Sequence, residues 1–362
     1  MERSLIKEVN KKNMTARVNS SKVLPMVFPN FFGVKKRDNL NWETLIGEKG
    51  IPVMADVVSY DSEAPVKTRE VVNKMSGDIP KISIKRGMNE KDFNSYVNLA
   101  KDVQGDQGLK DLLDTVFADL DFCNNGVRSR TEFLAIQAMS KAEISLGKTN
   151  NGAGIVTEKV VDFGVPSANK TGVTTPWATI ASAKPLDDIE DYIEKIFADT
   201  GRIIKYVIMR SDDFKNVKRS TDTINKVKAY LNSKDNFMVT KTTINAYLAE
   251  LEMPVQIVVV NTSVRNESKN NTRTIINPWE QYRVLFVEDL KIGDIQHGPI
   301  ATENSAEIQK IATMVKQDFV LLTKWGTLDP YKEWTMAEAN AFPVLNDPTG
   351  LFYLRVDQAA WA

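Results

Sequence analysis

The stretch VMADVVSYDSEAPVKTREVVNKM, residues 53–75, sets a condition that few folds meet. Its pattern predicts two strands around a turn. On the first, Val53, Ala55, Val57 and Ser59 share one face, and Met54, Asp56, Val58 and Tyr60 share the other, because side chains alternate across a strand. The second, Val66 to Val72, sets Lys67, Arg69 and Glu70 among its valines, with Pro65 just after the turn, where a missing N–H does little harm. Both faces are mixed, so neither suits an ordinary core. A two-stranded ribbon is marginal by itself in water, and this one needs a further surface to lie on. In IPKISIKRG, Ile82 and Ile84 alternate with Lys81, Ser83 and Lys85, which predicts a half-buried strand next. Residues 53–86 therefore read as a projecting arm of strands that precedes the first core helix.

The remainder is long and apolar enough for two or three compact units, with 362 residues of which 42% are hydrophobic. Basic and acidic residues number 47 each, so the global charge offers no long-range attraction for nucleic acid or an anionic membrane, and any such role is local. No apolar run approaches a membrane span, and MERSLIKEVNKKNM lacks the apolar middle of a secretory signal; the expectation is a protein made and kept in a cytoplasm. The one cysteine, Cys123, excludes an internal disulfide and a cysteine-rich zinc site, and is expected as a small core residue. The one histidine, His297, stands without a nucleophile motif near it, which argues against an ordinary serine or cysteine hydrolase and for a structural or solvent-exposed role.

Residues 1–40 hold nine lysines and arginines against three acids, a net charge of plus six. Within this arm VLPMVFPNFFGV is broken by Pro25, Pro29 and Gly33, so it is expected to lie extended over another surface, with Phe31 and Phe32 favouring docking. Leu109, Leu112, Leu113, Val116, Phe117 and Leu120 form one helical stripe that should stop at Asn124–Gly126. A second helix should then open with a capping box, Ser129 with Glu132, and run to Gly147, buried on two sides. After a loop region rich in glycine and asparagine, a middle unit begins near PWATIASAKPLDDIEDYIEKIFADTG, whose helix is acidic. A basic stretch follows over 202–228, with IIKYVIM, PVQIVVV and YRVLFV as buried strands around the unit's own sheet. EIQKIATMVKQDFVLLTKWGTLDPYKEW is expected to be a strand that rejoins the first half.

No motif survives as a catalytic site. ISLGKT ends like a phosphate loop, with Gly147, Lys148 and Thr149, but Ala142 stands where that loop needs a glycine, and a helix rather than a strand precedes it. NGAG, residues 151–154, lacks dinucleotide spacing. The pairs Asp187–Asp188 and Asp212–Asp213 sit where solvated helix ends are expected, and triplets such as Asn261–Ser263 mean nothing without secretion. No cofactor or metal is called for.

The order of these elements resembles the major capsid proteins of tailed bacteriophages, in the branch typified by the main head protein of phage lambda. The stretches that carry the resemblance span residues 53–356: VVSYDSEAPVKTRE; SRTEFLAIQAMSKAEI, with Arg130, Glu132 and Gln137; VDFG; PWATIASAKPLDDI, with Trp177, Pro185, Leu186 and Asp187; YVIMRSDDF; and TLDPYKEWTMAEANAFPVLNDPTGLFYLRV. Arg210 departs from the family habit, which has a small residue there.

The resemblance implies an α+β shell subunit of the Hong Kong 97-type fold: an N-terminal arm over 1–50, an extended loop over 51–95, a peripheral domain with a long spine helix over 96–170, an axial domain over 171–305, and a return to the peripheral domain over 306–362. It further implies self-assembly into hexamers and pentamers of the icosahedral head around a tailed phage's double-stranded DNA, with assembly in the bacterial cytoplasm and no enzymatic role. Asp56, Tyr60, Pro65, Lys67, Arg69 and Glu70 of the loop are then expected to meet a neighbouring subunit. Lys11, Lys12, Arg17, Lys35, Lys36 and Arg37 are expected to face packaged DNA non-specifically, or an internal scaffold. No long charged coiled segment precedes residue 50, so a separate scaffolding protein is expected, with a portal and decoration proteins as further partners and no membrane. The acidic helix and the basic 202–228 stretch are expected to match across axial domains. The rival readings are an encapsulin-like bacterial shell, a tail or baseplate component and a nucleotide-binding enzyme using Lys148.

Overall fold

Asparagine, asparagine and glycine ordinarily end a helix, yet here a helix of 37 residues runs straight through Asn124–Gly126. The structure is a computed structural model of the chain and describes residues 4, 6, 9–20, 24–46, 54, 73–101, 105–147, 159–232, 237–253, 255–268, 270 and 272–361. Its first elements are α1 (Lys11–Ser20), a 3-10 turn (Phe28–Asn30), β1 (Phe32–Lys36), β2 (Asn41–Ile46), β3 (Asn73–Asp78), β4 (Lys81–Asn89), α2 (Glu90–Lys101) and the long α3 (Gly105–Lys141). The two helices expected around Asn124–Gly126 are one because all three residues are used by the tertiary structure. Asn124 Nδ2 donates to Gln317 Oε1 at 2.9 Å, and Asn125 Oδ1 accepts the Leu24 N–H at 3.2 Å. A Cβ on Gly126 would come within 2.9 Å of Ile84 Cδ1, so its absence lets β4 lie against the helix. Such contacts offset the roughly 1 kcal/mol that a mid-helix glycine costs.

Glu132 is corrected in the same way. Three residues after Ser129 it has the spacing of a capping box, but it lies in mid-helix and caps something else. Its buried carboxylate accepts the N–H of Phe28 at 2.7 Å, that of Val27 at 3.0 Å, and the Thr262 hydroxyl at 2.8 Å. The 3-10 turn of the arm is thereby capped by a side chain from another helix. The arm docks as expected, with Phe28, Phe31 and Phe32 buried. It also holds α1, which the sequence pattern does not reveal. Asn10 Oδ1 accepts the Asn13 N–H at 2.9 Å to start this helix, and Met14 and Val18, one turn apart, bury its inner face.

Beyond α3 come a small ribbon of β5 (Glu143–Leu146) and β6 (Lys159–Asp162), then the middle unit. This unit comprises β7 (Lys170–Gly172), α4 (Pro185–Thr200), β8 (Tyr206–Arg210), α5 (Ser211–Arg219), α6 (Thr221–Tyr230), α7 (Lys241–Glu250), β9 (Gln256–Val260), the hairpin β10 (Val264–Glu267) and β11 (Arg273–Ile276), and β12 (Arg283–Val287). The acidic helix is α4; it starts on Pro185 and ends on Gly201 in the left-handed region, φ 69°. The chain finishes with β13 (Gly293–His297), the short helices α8 (Ala301–Asn304) and α9 (Ala306–Ile311), β14 (Thr313–Gln317), β15 (Val320–Thr327), β16 (Lys332–Leu345) and β17 (Phe352–Arg355).

Two sheets organise these elements. One runs β1-β13-β16-β15-β14, with β4 also on β16. The other runs β7-β17-β12-β8-β9. The hub of the first is β16, whose Lys332–Asn340 pairs with β4 and whose Ala341–Leu345 pairs with β13. Three sequence expectations change here. The segment 307–334 is not one strand but α9, the β14–β15 hairpin turning at Asp318 (φ 54°), and the start of β16. Strand β13, within the stretch 171–305 expected to be axial, pairs with β1 and β16 instead. Strand β17, within the stretch 306–362 expected to return to the first half, closes the middle sheet between β7 and β12.

Alternation explains why β17 belongs there. Val207 and Met209 of β8, Val284 and Phe286 of β12, and Phe352 and Leu354 of β17 enter a core beneath α4, α5, α6 and α7. Ile208, Leu285 and Tyr353, at the positions between, enter the larger core around α3. Both faces of this sheet are thus buried, which accounts for its unbroken apolar strands. Tyr353 also donates its hydroxyl to the Met139 carbonyl at 2.8 Å, fastening the sheet to the end of α3.

Two buried carboxyls have measurable consequences. Glu132→Ala leaves the Val27 and Phe28 N–H groups without their acceptor and should destabilise the subunit by about 2–4 kcal/mol in denaturant unfolding, with faster hydrogen exchange at both amides. Asp213, in the first turn of α5, is buried with no hydrogen-bond partner for Oδ2 among the described residues, and burial pushes its carboxyl up to about 7. A raised carboxyl favours the protonated folded state, so its stabilisation is full below pH ~4 and is lost as the pH rises through about 7. Asp213→Asn should therefore raise stability at pH 8 by about 2–4 kcal/mol, with little gain at pH 4, in melts across that range.

Candidate assembly surfaces

The ribbon of β2 and β3 is anchored to the body of the subunit. Strands β2 and β3 pair antiparallel from Asn41↔Asp78 to Ile46↔Asn73, so the segment between residues 46 and 73 leaves from and returns to one end of the ribbon. Trp42 lies at 5.6 Å from Phe342 and 5.9 Å from Phe163, centroid to centroid. Glu43 and Gln296 exchange two hydrogen bonds, the Glu43 N–H to Oε1 at 3.1 Å and Nε2 to the Glu43 carbonyl at 2.7 Å. Thr44 donates its hydroxyl to the Leu345 carbonyl at 2.7 Å. Lys74 and Arg37 hold the Glu43 carboxyl below the usual carboxylate range. Asp56, Tyr60, Pro65, Lys67, Arg69 and Glu70 lie outside the described residues. Strand β2 was not expected from the sequence, although Trp42 is a signal that could have found it.

The six basic residues of the arm divide into two groups. Arg17 is held between Asp114 and Asp121 of α3, with Nε to Asp121 Oδ2 at 3.1 Å, and Arg37 pairs with Glu43 at 2.8 Å. Those two charges are committed within the subunit. Lys11 and Lys12 on α1, and Lys35 and Lys36 on β1, are exposed and have no ion-pair partner among the described residues. Strand β1 is also the edge of its sheet.

In the middle unit the acidic and basic stretches already meet inside one chain. Lys226 of α6 pairs with Asp187 of α4, and with Asp222 at 2.9 Å. Arg202, buried, bridges Glu288 at 2.9 Å and Asp347 at 3.1 Å. Trp177 donates its indole N–H to Asp188 at 2.8 Å, one residue beyond the Asp187 quoted with it in the sequence. Arg210, the departure from the family habit, is occupied by Asp212 at 2.8 Å. What remains on α4 is a face bearing Glu190, Asp191 and Glu194, none with an ion-pair partner among the described residues.

Other chemistry-bearing residues are placed without a shared site. Cys123 is buried, as expected, and burial pushes its thiol up to about 12. His297 is buried in β13, and burial lowers its imidazole from the ordinary value. Lys148, Thr149 and residues 151–154 lie outside the described residues. Among those described, no group of three or more His, Cys, Asp or Glu is placed to hold a metal ion, and no helix is long and apolar enough to cross a membrane.

Two solved structures share this architecture over nearly their whole length. A prophage protein of E. coli CFT073, named as a capsid protein, is 12% identical, with 96% of this chain and 99% of that one covered and a TM-score of 0.59. A phage-related protein of Bordetella bronchiseptica RB50 is 11% identical, with coverage of 96% and 97% and a TM-score of 0.52. No curated protein matches the sequence. The likeness at these identities is one of fold, the α+β Hong Kong 97-type capsid fold with its arm, long helix and paired sheets. The sequence itself carries the assignment further: residues 12–356, from α1 through β17, match the phage major capsid protein E family, and the chain belongs to that family.

Proposed function

We propose that the chain is the repeating unit of an icosahedral head around a tailed phage's double-stranded DNA, assembled as hexamers and pentamers in the host cytoplasm. The observation that carries this reading is the capsid-family match over residues 12–356, which takes in nearly all of both cores and the arm from residue 12 onward. It also favours a phage head over an encapsulin-like shell or a nucleotide-binding enzyme. Copies of the chain, a separate scaffolding protein, the portal, decoration proteins and packaged DNA are its partners in this reading.

The extended loop supplies contact between copies. Its sequence sets charged and apolar residues on both faces, as a ribbon covered on both sides by neighbours requires. Asp56, Lys67, Arg69 and Glu70 meet opposite charges there, while Tyr60 and Pro65 pack. An exposed ion pair contributes only about 0.2–1 kcal/mol, and weak contacts repeated around a shell let a misplaced subunit leave before the shell closes. Lys11, Lys12, Lys35 and Lys36 face the interior and neutralise DNA phosphates without reading sequence; Arg17 and Arg37 hold the arm in place instead.

Negative-stain electron microscopy of the purified chain, alone and with its genomic neighbours, should show closed shells or regular rings. Deleting residues 57–70 should leave a soluble subunit that melts within a few degrees of the parent but forms no closed particles. Loss of the folded subunit on deletion would place the loop in the subunit's own core and defeat the reading.

Replacing Lys11, Lys12, Lys35 and Lys36 by alanine should leave shell formation intact and weaken duplex DNA binding by purified subunits. The slope of log affinity against log salt should fall by about 3–4, close to 0.9 for each phosphate no longer neutralised. An unchanged slope in fluorescence anisotropy would take the arm off the DNA.

A further inference from the structure

The middle unit carries a knob and a hole that it cannot fit together itself. The knob is at the C-terminal end of α4. Phe197 is 56% exposed there, and Ile203, just beyond the helix, is 55% exposed. Glu194 precedes Phe197 by three residues and shares its face, and Asp191 stands a further turn back beside Glu194. An exposed aromatic residue beside acids that have no ion-pair partner among the described residues is an unusual surface for an isolated subunit.

The hole is a cleft of about 490 Å³ between α5, α6 and the segment leading into α7. Ile224, Phe237 and Val239 form its apolar floor, Met238, 77% exposed, stands at its mouth, and Arg219 and Lys218, the latter 5.5 Å over the Phe214 ring centroid, stand on its rim. Lys215 lies there too but is engaged by Asp212 at 3.0 Å. The two features are complementary in charge and in character: an aromatic side chain among acids, and an apolar cleft among bases.

Topology keeps them apart within one chain. Ser220, at the junction of α5 and α6, donates its hydroxyl to the Ala183 carbonyl at 2.7 Å, and the Thr221 N–H bonds to Ile180. The cleft is therefore beside the N-terminal end of α4. Phe197 is farther along that helix by about 18 Å, at a rise of about 1.5 Å per residue. The geometry points to a head-to-tail contact between copies of the chain, in which Phe197 of one copy enters the cleft of the next past Met238 at its mouth. This inference rests on the shell reading and specifies its contact around the ring. A heterologous contact of this kind, one patch on a different patch, generates closed rings when the rotation between copies allows it. A buried aromatic anchor surrounded by a charged rim is also where binding energy concentrates in an interface.

A double variant, Phe197→Cys with Met238→Cys, tests the contact directly, since the native Cys123 is buried and its thiol is pushed up to about 12. Within one chain Phe197 stands about 18 Å along α4 from the end beside the cleft, beyond the ~7 Å that a disulfide spans. Mild oxidation of assembled particles should give a ladder of covalent dimers and larger rings on a denaturing gel, at least tenfold above either single variant. Particles that assemble normally without a ladder would overturn the contact and leave the shell reading standing. A chain that never assembles, substituted or not, would overturn the shell reading and the contact with it.

Charge reversal gives a second arm. Lys218→Glu with Arg219→Glu should cut the assembled fraction in sedimentation velocity at least tenfold, with the subunit still folded in melts, since Arg219 is exposed and Lys218 gives up only its place over the Phe214 ring. Adding Asp191→Lys and Glu194→Lys should restore it. Failure of the fourfold variant to recover, while the parent assembles, would also overturn the contact.

Discussion

The Glu132 carboxylate is the point on which the rest of the subunit's geometry turns. It is buried in mid-helix, and a buried charge is tolerated only where donors replace the water it has lost. The donors come from two distant parts of the chain: backbone N–H groups of the arm at Val27 and Phe28, and the Thr262 hydroxyl between β9 and β10. Arm, long helix and middle unit are thus tied at one atom group. Fixing the 3-10 turn sets where Phe31 and Phe32 enter the core, and that places β1 on β13. From β1 the chain turns through Arg37 into β2, so the placement of the β2–β3 ribbon is inherited from the same clamp.

The division of the middle sheet between two cores gives the subunit its stiffness. Because β8, β12 and β17 send alternate side chains into different cores, a slip of one residue in register would exchange every side chain between them. Register is therefore strongly specified, and the hydroxyl of Tyr353 on Met139 joins the sheet to the long helix. A subunit that must repeat the same contacts many times needs a body of this kind. Its surfaces then keep a fixed relation to one another, and weak contacts at each of them add rather than average out.

How much of this was legible in the sequence depended on the range of the interactions. Elements fixed by their own pattern were visible: the Val116, Phe117 and Leu120 stripe of α3, the acidic helix α4, and the buried strands β8 and β12. The likeness to capsid proteins was visible as well, because it rests on the order of elements. Features fixed by distant partners were not. Asn124–Gly126 carries a local stop signal that contacts with Gln317, Leu24 and Ile84 override. Glu132 has the spacing of a capping box whether or not it caps its own helix. Helix α1 has only Met14 and Val18 as an apolar stripe, and Arg17 owes its place to acids about a hundred residues away. The Lys226–Asp187 pair shows the same limit: matching charge runs are plain in the sequence, but whether they meet within a chain or between chains is not.

Charge distribution bears on assembly in a way that the total alone conceals. Equal numbers of acidic and basic residues leave each copy without net charge, so close packing is not opposed by long-range repulsion between copies. The charges are nonetheless segregated, with exposed lysines on α1 and β1, the acids Glu190, Asp191 and Glu194 on α4, and bases at the rim of the α5–α6 cleft. Salt screens fields beyond about 10 Å under ordinary conditions, so these patches act only at contact. Such a surface brings no partner from a distance, but it distinguishes a correctly turned neighbour from a misturned one, since like charges opposed at close range cost several kcal/mol. Neutrality in total with segregation in detail thus favours orientation over attraction, which is what a closed shell of identical subunits demands.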